Sequence, residues 1–164
     1  MYVSDLKNKY YEKRIGVLGS GPTLNKYKDQ INDLCDIVIA CNGSVNALDF
    51  KKHFIDYFVY IDGISYRRDW FKKSLLFKNS NSLFKKMFFN SNSIRLFADE
   101  MNFEIEEFME SKSLFIDVLN NSKLDIEKIS RGIFYNNVCT VSGVASQIAY
   151  FMGAKTINLS SNFS

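Results

Sequence analysis

The fold is decided by residues 14–24, which read Arg-Ile-Gly-Val-Leu-Gly-Ser-Gly-Pro-Thr-Leu. The first part of this stretch is a short apolar run that ends at glycines, a pattern typical of a buried β-strand. Pro22 follows where a helix would begin, because its fixed φ and missing N–H suit the first helical turn. The stretch therefore predicts a strand, a glycine turn and a helix, the opening of a βαβ unit.

Two further strands follow at similar spacing. Residues 36–41 are almost continuously apolar, as in a central parallel strand covered on both faces, and they end at the turn Asn42-Gly43-Ser44. Residues 57–61 form a third such run, which ends at Asp62-Gly63. With helices expected over 23–31 and 45–52, the alternation predicts an α/β fold of the Rossmann-like, doubly wound kind. Such a fold has a mostly parallel sheet with helices on both faces.

The rest of the chain gives a weaker pattern until its end. We predict helices over 67–77, 104–111 and 144–152 and strands over 93–97 and 156–160, while 83–89 is ambiguous and 114–138 has no assigned type. Gly153 stops the last helix as a C-terminal capping glycine. We expect one nucleotide-binding domain over 1–164, a fragment of a longer chain in one reading, with 104–138 as a lid or insertion.

Composition restricts the class of protein. The chain has 164 residues, 46% hydrophobic and 24% charged, as in ordinary globular domains, and its net charge of +3 is too weak to argue for nucleic acid. Three cysteines and one histidine show no metal-ligand spacing, which favours a reduced, cytoplasmic setting without a metal. No signal peptide or membrane-spanning run is present, although a peripheral position at the inner face of the membrane stays open.

The glycine turn Gly19-Ser20-Gly21-Pro22-Thr23 is the first candidate site. Glycines let the backbone approach a phosphate closely, and backbone N–H groups at a helix start favour an anion. The alternative is a tight turn without a ligand.

Three further candidates lie where predicted strands end or the last helix begins. Asn42, with Gly43 and Ser44, can donate to and accept from a base, ribose or phosphate, or can simply form a turn. Asp62 is a candidate base, ribose or metal contact, or a capping residue. Thr140, Ser142 and Gly143 precede the last helix and form a second anion or hydroxyl site, or a plain serine N-cap. Tyr135, Asn136 and Asn137 are weaker candidates, and His53 is expected to be structural or exposed.

Four blocks of this sequence together resemble the MptE-like domain family. Residues 15–24 look like its GxGPSL opening, 36–44 and 56–63 like its next two strands, and 142–160 like its SGGSV-to-LGAK segment. The family includes 6-hydroxymethylpterin pyrophosphokinase-like enzymes and the motility accessory factor (Maf) glycosyltransferases. The same frame is similar to small bacterial sialyltransferases, which have a GNGPSL loop and a TSGV segment.

The resemblance implies a nucleotide donor near Gly19, Ser20, Gly21 and Asn42, with Thr140, Ser142 and Gly143 lining its pocket. It implies a transferase that moves a CMP-activated sugar onto a glycan or small-molecule acceptor in surface glycan assembly. Under this hypothesis Asp62 is the best available base, and a homo-oligomer is one arrangement. One alternative is a pyrophosphokinase using ATP and Mg²⁺, and another is a non-catalytic nucleotide binder. This chain has Ser160 and Asn162 where the pattern favours a glycine and an aspartate, and the sialyltransferases' catalytic histidine lies beyond its last residue.

Overall fold

The computed structural model describes residues 2–61, 73, 86–90, 113–120, 123–136 and 140–160. These residues form one sheet of seven parallel strands in the order β6-β5-β4-β3-β2-β1-β7. The strands are β1 Arg14–Leu18, β2 Ile37–Cys41, β3 Tyr57–Tyr60, β4 Lys86–Asn90, β5 Ser113–Leu119, β6 Ile133–Tyr135 and β7 Thr156–Ser160. The predicted α/β, Rossmann-like fold is confirmed.

Four α-helices belong to the described part of the chain: α1 Pro22–Tyr27, α2 Ile31–Leu34, α3 Ile126–Ile129 and α4 Val141–Phe151. The described residues also form three 3₁₀ helices, Val3–Leu6, Lys28–Gln30 and Asn42–Ala47. The predicted helix over 23–31 is thus split into α1, a 3₁₀ turn and α2. The predicted helix over 45–52 is wrong, because the chain forms the 3₁₀ helix Asn42–Ala47 directly after β2 and then turns toward β3.

The two faces of the sheet carry separate cores. Ile37, Ile39 and Cys41 of β2 face one core with α4, whereas Val38 and Ala40 face the other with α1 and α2. This alternation follows from the strand period of two, and it explains why a central strand is apolar throughout. Helices therefore cover both faces, as a doubly wound sheet requires.

The amino-terminal segment forms hydrogen bonds with the carboxyl end of α4. The N–H groups of Asn8 and Tyr10 donate to the carbonyl oxygens of Phe151 and Met152, the last carbonyls of that helix, at 3.0 and 2.8 Å. Gly153 follows with φ +88°, and a Cβ there would stand 3.0 Å from the Cα of Asn8. The predicted capping glycine is confirmed, since a left-handed residue in close contact with backbone favours glycine.

Strands β5 and β6, with α3 between them, lie inside the stretch 114–138 to which the sequence gives no type. Two strands of the sheet thus come from the range 104–138, while residues 104–112, 121–122 and 137–138 of that range lie outside the described residues. The same is true of the helix predicted over 67–77, apart from residue 73, and of the strand over 93–97. The ambiguous stretch 83–89 contains most of β4. Among the described helices, none is long and apolar enough to cross a bilayer.

Candidate functional site

The candidate site lies where the direction of strand addition reverses. From β1 the chain adds strands in sequence as far as β6, and α4 then brings it back to place β7 on the free side of β1. In open parallel sheets ligands bind outside the carboxyl ends of the strands at such a switch point. Strands β2, β1 and β7 lie at this switch point, and the residues at their carboxyl ends form the candidate site.

The glycine turn follows β1 and opens α1 as predicted. Gly21 is the N-cap of α1 and Pro22 occupies its first turn. The Gly19 N–H donates to the Ser160 carbonyl oxygen at 2.8 Å, which continues the β1–β7 ladder by one bond. The Gly19 N–H is therefore already paired, whereas the N–H groups of Ser20 and Gly21 follow it in the turn that opens α1. Ser20 and Thr23 are exposed.

Asn42 directly follows β2 and has an unusual backbone. Its φ is +41°, in the left-handed region that few residues other than glycine adopt, although asparagine tolerates it best. Its Oδ1 is buried and has no hydrogen-bond partner among the described residues. Ser44 fixes this geometry, since its buried hydroxyl accepts from the Cys41 N–H at 3.1 Å and so closes the turn from inside. Ser44 therefore positions Asn42.

Ser160 ends β7 and stands opposite Leu18, the last residue of β1. Its Oγ is buried without a partner, like the Oδ1 of Asn42. Two unpaired oxygens therefore follow the strands on either side of β1. No local pattern marks Ser160 as a site residue, because only the parallel register of β7 with β1 brings it beside the glycine turn.

Helix α4 begins at the same edge of the sheet. Thr140 is its N-cap, with Oγ1 accepting from the Gly143 N–H at 3.3 Å. The helix therefore begins at Val141, before the predicted start at residue 144, and the alternative of a serine N-cap is wrong. Ser142 is half-buried in the first turn of this eleven-residue helix. An α-helix of this length carries partial positive charge at its first turn. A Cβ on Gly143 would stand 3.4 Å from the Thr140 Oγ1.

The other predicted residues divide into three groups. Asp62, the candidate base, lies outside the described residues, as does Asn137. Asn136 directly follows β6, and its Oδ1 is buried without a partner among the described residues, as is the Tyr135 hydroxyl. His53 is buried in the loop before β3, where its Nδ1 accepts from the Asp49 N–H at 2.8 Å, which confirms a structural position.

Ion pairing and burial account for the pKa shifts of three described residues. The guanidinium of Arg14 donates to Asp36 at the amino end of β1 and lowers the pKa of that carboxyl to about 2. Burial raises the pKa of both the Cys35 and the Cys41 thiols. Across the described ranges, no three His, Cys, Asp or Glu residues come together as a metal site would need.

The fold and this edge define a class of protein, the Rossmann-like α/β domains with a candidate ligand site at the switch point. Among solved structures, the structure of MAf glycosyltransferase from Magnetospirillum magneticum AMB-1 matches this chain with a TM-score of 0.50 and 14% sequence identity. The match covers 97% of this chain and 26% of that protein, so the chain spans about a quarter of its length. No family model and no curated protein sequence matches this chain. The likeness is one of fold, and it agrees with the Maf part of the resemblance.

Proposed function

We propose that this chain carries the donor site of a nucleotide-sugar-dependent glycosyltransferase, with a CMP-activated sugar as the donor. The observation that carries the proposal is an asymmetry between the two ends of the sheet. At the carboxyl ends, Asn42, Asn136 and Ser160 each have a buried oxygen without a partner. Toward the amino end of β3, the buried polar residues Asp56 and His53 both accept backbone N–H bonds, at 2.9 and 2.8 Å.

Unpaired buried oxygens call for an explanation, because each costs about 1–3 kcal/mol when no donor reaches it. A nucleoside has amino and hydroxyl donors that pair with acceptors such as the Asn42 Oδ1. The Ser160 hydroxyl can both donate and accept. Strain in the backbone of Asn42 supports the same location, since sparsely populated backbone conformations concentrate at functional sites.

The expected roles follow from the chemistry of the transfer. The N–H groups of Ser20 and Gly21 would bind the donor phosphate, and the first turn of α4 with Ser142 would face the negative charge of the leaving nucleotide. The acceptor hydroxyl would attack the anomeric carbon while Asp62 takes its proton, and CMP would leave with the bonding electrons. The Maf glycosyltransferase match adds support from the fold alone.

The experiment is a thermal-shift screen of CMP, CDP, UDP, GDP and ATP, each with and without Mg²⁺. A ligand that binds only the folded state stabilises it by about 2.7 kcal/mol at one hundred times its dissociation constant. We expect a shift with CMP that does not need Mg²⁺. A shift with ATP only when Mg²⁺ is present would contradict the proposal in favour of a pyrophosphokinase, and no shift with any nucleotide would contradict a nucleotide site.

Asn42→Gly is the variant that isolates the site. Glycine adopts a φ of +41° without strain, so the turn and the fold are retained while the amide is lost. We expect an unchanged or slightly higher melting temperature and at least a tenfold weaker affinity for CMP. The matched control is Asn25→Ala, which removes an exposed amide from α1. Equal affinities in the two variants would remove Asn42 from the site.

Asp62→Asn tests the enzymatic part of the proposal separately. We expect it to lower the rate of transfer from a CMP-sugar, or of its hydrolysis, by at least a hundredfold and to leave CMP affinity unchanged, since general bases contribute about 10²–10⁴-fold. CMP binding by a wild-type protein that catalyses neither reaction would favour the non-catalytic nucleotide binder.

A further inference from the structure

One side-chain amide joins the carboxyl end of β6 to α4. Because the Asn136 N–H donates to the Leu119 carbonyl oxygen of β5, Tyr135 directs its own N–H and C=O away from the sheet. The Gln147 Oε1 accepts from the Tyr135 N–H, and the Gln147 Nε2 donates to the Tyr135 carbonyl oxygen, each at 2.8 Å. The amide therefore pairs with Tyr135 as a neighbouring strand would.

The same amide also contacts the beginning of α4. The Gln147 Nε2 donates a third bond, of 3.3 Å, to the Gly143 carbonyl oxygen. Gly143 is itself held by the cap of the helix, since its N–H donates to the Thr140 Oγ1. Gln147 is half-buried, and a planar amide bound through both of its polar atoms has one orientation. It therefore fixes the end of β6 relative to the first turns of α4.

Asn136 comes directly after the residue that Gln147 holds. Its Oδ1 is buried and has no partner among the described residues. The two bonds from Gln147 to Tyr135 set the position of the backbone from which the Asn136 side chain extends. A side chain that contacts a ligand has to be held within about 0.5 Å of its productive position, and the hydrogen bonds of neighbouring residues provide that support.

We infer that Gln147 is a positioning residue of the donor site, which holds Asn136 in a fixed relation to the first turn of α4. The inference rests on the proposed function, in which that turn faces the leaving nucleotide and the Asn136 Oδ1 is one of the acceptors that a ligand would pair. Gln147 itself does not contact the ligand, because both polar atoms of its amide are bound to backbone. Its effect on binding passes through Asn136.

The first test is a double-mutant cycle on the affinity for CMP, measured by calorimetry where circular dichroism shows every variant to be folded. Asn136→Ala should weaken binding about tenfold, the value of one hydrogen bond to the ligand. Gln147→Met should weaken it about fivefold, because Asn136 is then free to shift. In the Asn136→Ala background Gln147→Met should change the affinity by less than about twofold, since a positioning residue acts through the side chain that it positions.

Gly153→Ala is the matched control. It lies just beyond the other end of α4, where a Cβ would stand 3.0 Å from the Asn8 Cα, so it lowers stability away from the candidate site. Its affinity for CMP should equal that of the wild type. An unchanged affinity in Gln147→Met, a loss as large in Gly153→Ala, or full additivity in the cycle would overturn the positioning role. A wild-type chain that does not bind CMP would instead contradict the proposed function.

The second test uses the wild-type chain alone. If the bonds of the Gln147 amide favour CMP binding, bound CMP has to stabilise those bonds by the same free energy. CMP should therefore slow hydrogen exchange of the Tyr135 amide more than that of the Asn8 amide, which donates to the Phe151 carbonyl oxygen at the other end of α4. Equal slowing of the two amides would contradict the coupling.

Discussion

Replacing Gln147 by methionine tests the closure of the β6 edge by one amide. Methionine is similar in length and has a similar helix propensity, so α4 should be retained. The substitution removes the two 2.8 Å bonds to the Tyr135 backbone and a longer one, 3.3 Å, from the Gln147 Nε2 to the Gly143 carbonyl oxygen. The N–H and the C=O of Tyr135 then have no side-chain partner among the described residues.

The expected loss of stability follows from those two groups. A polar group left without its partner in a buried place costs about 1–3 kcal/mol, and this site is half-buried, so water recovers part of it. We therefore expect Gln147→Met to lower the free energy of unfolding by about 2–4 kcal/mol. For a domain of this size, that is a fall of about 4–16 °C in melting temperature.

Urea unfolding followed by circular dichroism measures this loss, with the m-value as the check that the unfolding transition is unchanged. The matched control is Ser146→Ala on the same helix, where the lost bond runs only to the Ser142 carbonyl oxygen one turn back. It should stay within about 0.5 kcal/mol of wild type. A Gln147→Met loss no larger than that of Ser146→Ala would refute the role assigned to the amide.

The Gln147→Glu variant should lose stability in a way that depends on pH. An ionised carboxylate still accepts from the Tyr135 N–H but repels the Tyr135 carbonyl oxygen, whereas the protonated acid can donate to it. Folding therefore favours the protonated form and raises the pKa of this glutamate above its unfolded value. The stability deficit relative to wild type should be small below the unfolded pKa and should grow as pH rises through the folded pKa. A loss of stability that does not change with pH would contradict this expectation.

The remaining predictions concern the termini of the elements. Gly153→Ala should cost about 2–4 kcal/mol in urea unfolding, because it adds left-handed strain to a contact with the amino-terminal backbone; a neutral result would contradict that contact. NMR titration should find the Asp36 pKa about 2, with its contribution to stability present above the unfolded value of 3.8 and lost as pH falls toward 2. Arg14→Met should raise that pKa only part of the way to its ordinary range, because the backbone N–H of residue 14 still donates to Asp36 at 2.8 Å. Cys35 and Cys41 should react with a thiol reagent at pH 8 far more slowly in the folded chain than in urea, since burial raises both thiol pKa values.

Local patterns were sufficient for much of the fold. The strands at 14–18, 37–41, 57–60 and 156–160 were predicted within a residue or so, because each is an apolar run bounded by turn residues. The end of the last helix was predicted from Gly153, whose capping function depends on neighbours in sequence, whereas its start at Val141 lies before the predicted residue 144. Such features need no information about distant parts of the chain.

The remaining features depend on contacts distant in sequence. The stretch 114–138 shows no clear period, and its strands exist because β4 offers them a pairing edge and Gln147 closes β6. The helix predicted after β2 failed because Ser44 bonds back to Cys41 and holds Asn42 in a left-handed conformation. Ser160 could be assigned only once β7 was known to pair with β1 in parallel register.

The unpaired oxygens affect both the stability of the free chain and its affinity for a ligand. If Asn42 and Ser160 each leave an acceptor without a donor in the free chain, the folded state bears a cost that a bound ligand can remove. Ligand affinity then includes relief of that cost, and a variant that deletes the acceptor should lose affinity while the free chain gains stability. Asn42→Gly meets both conditions without a change in backbone geometry. Opposite movements of melting temperature and affinity in this one variant would distinguish a ligand site from a turn that is merely strained, in which only the melting temperature would move.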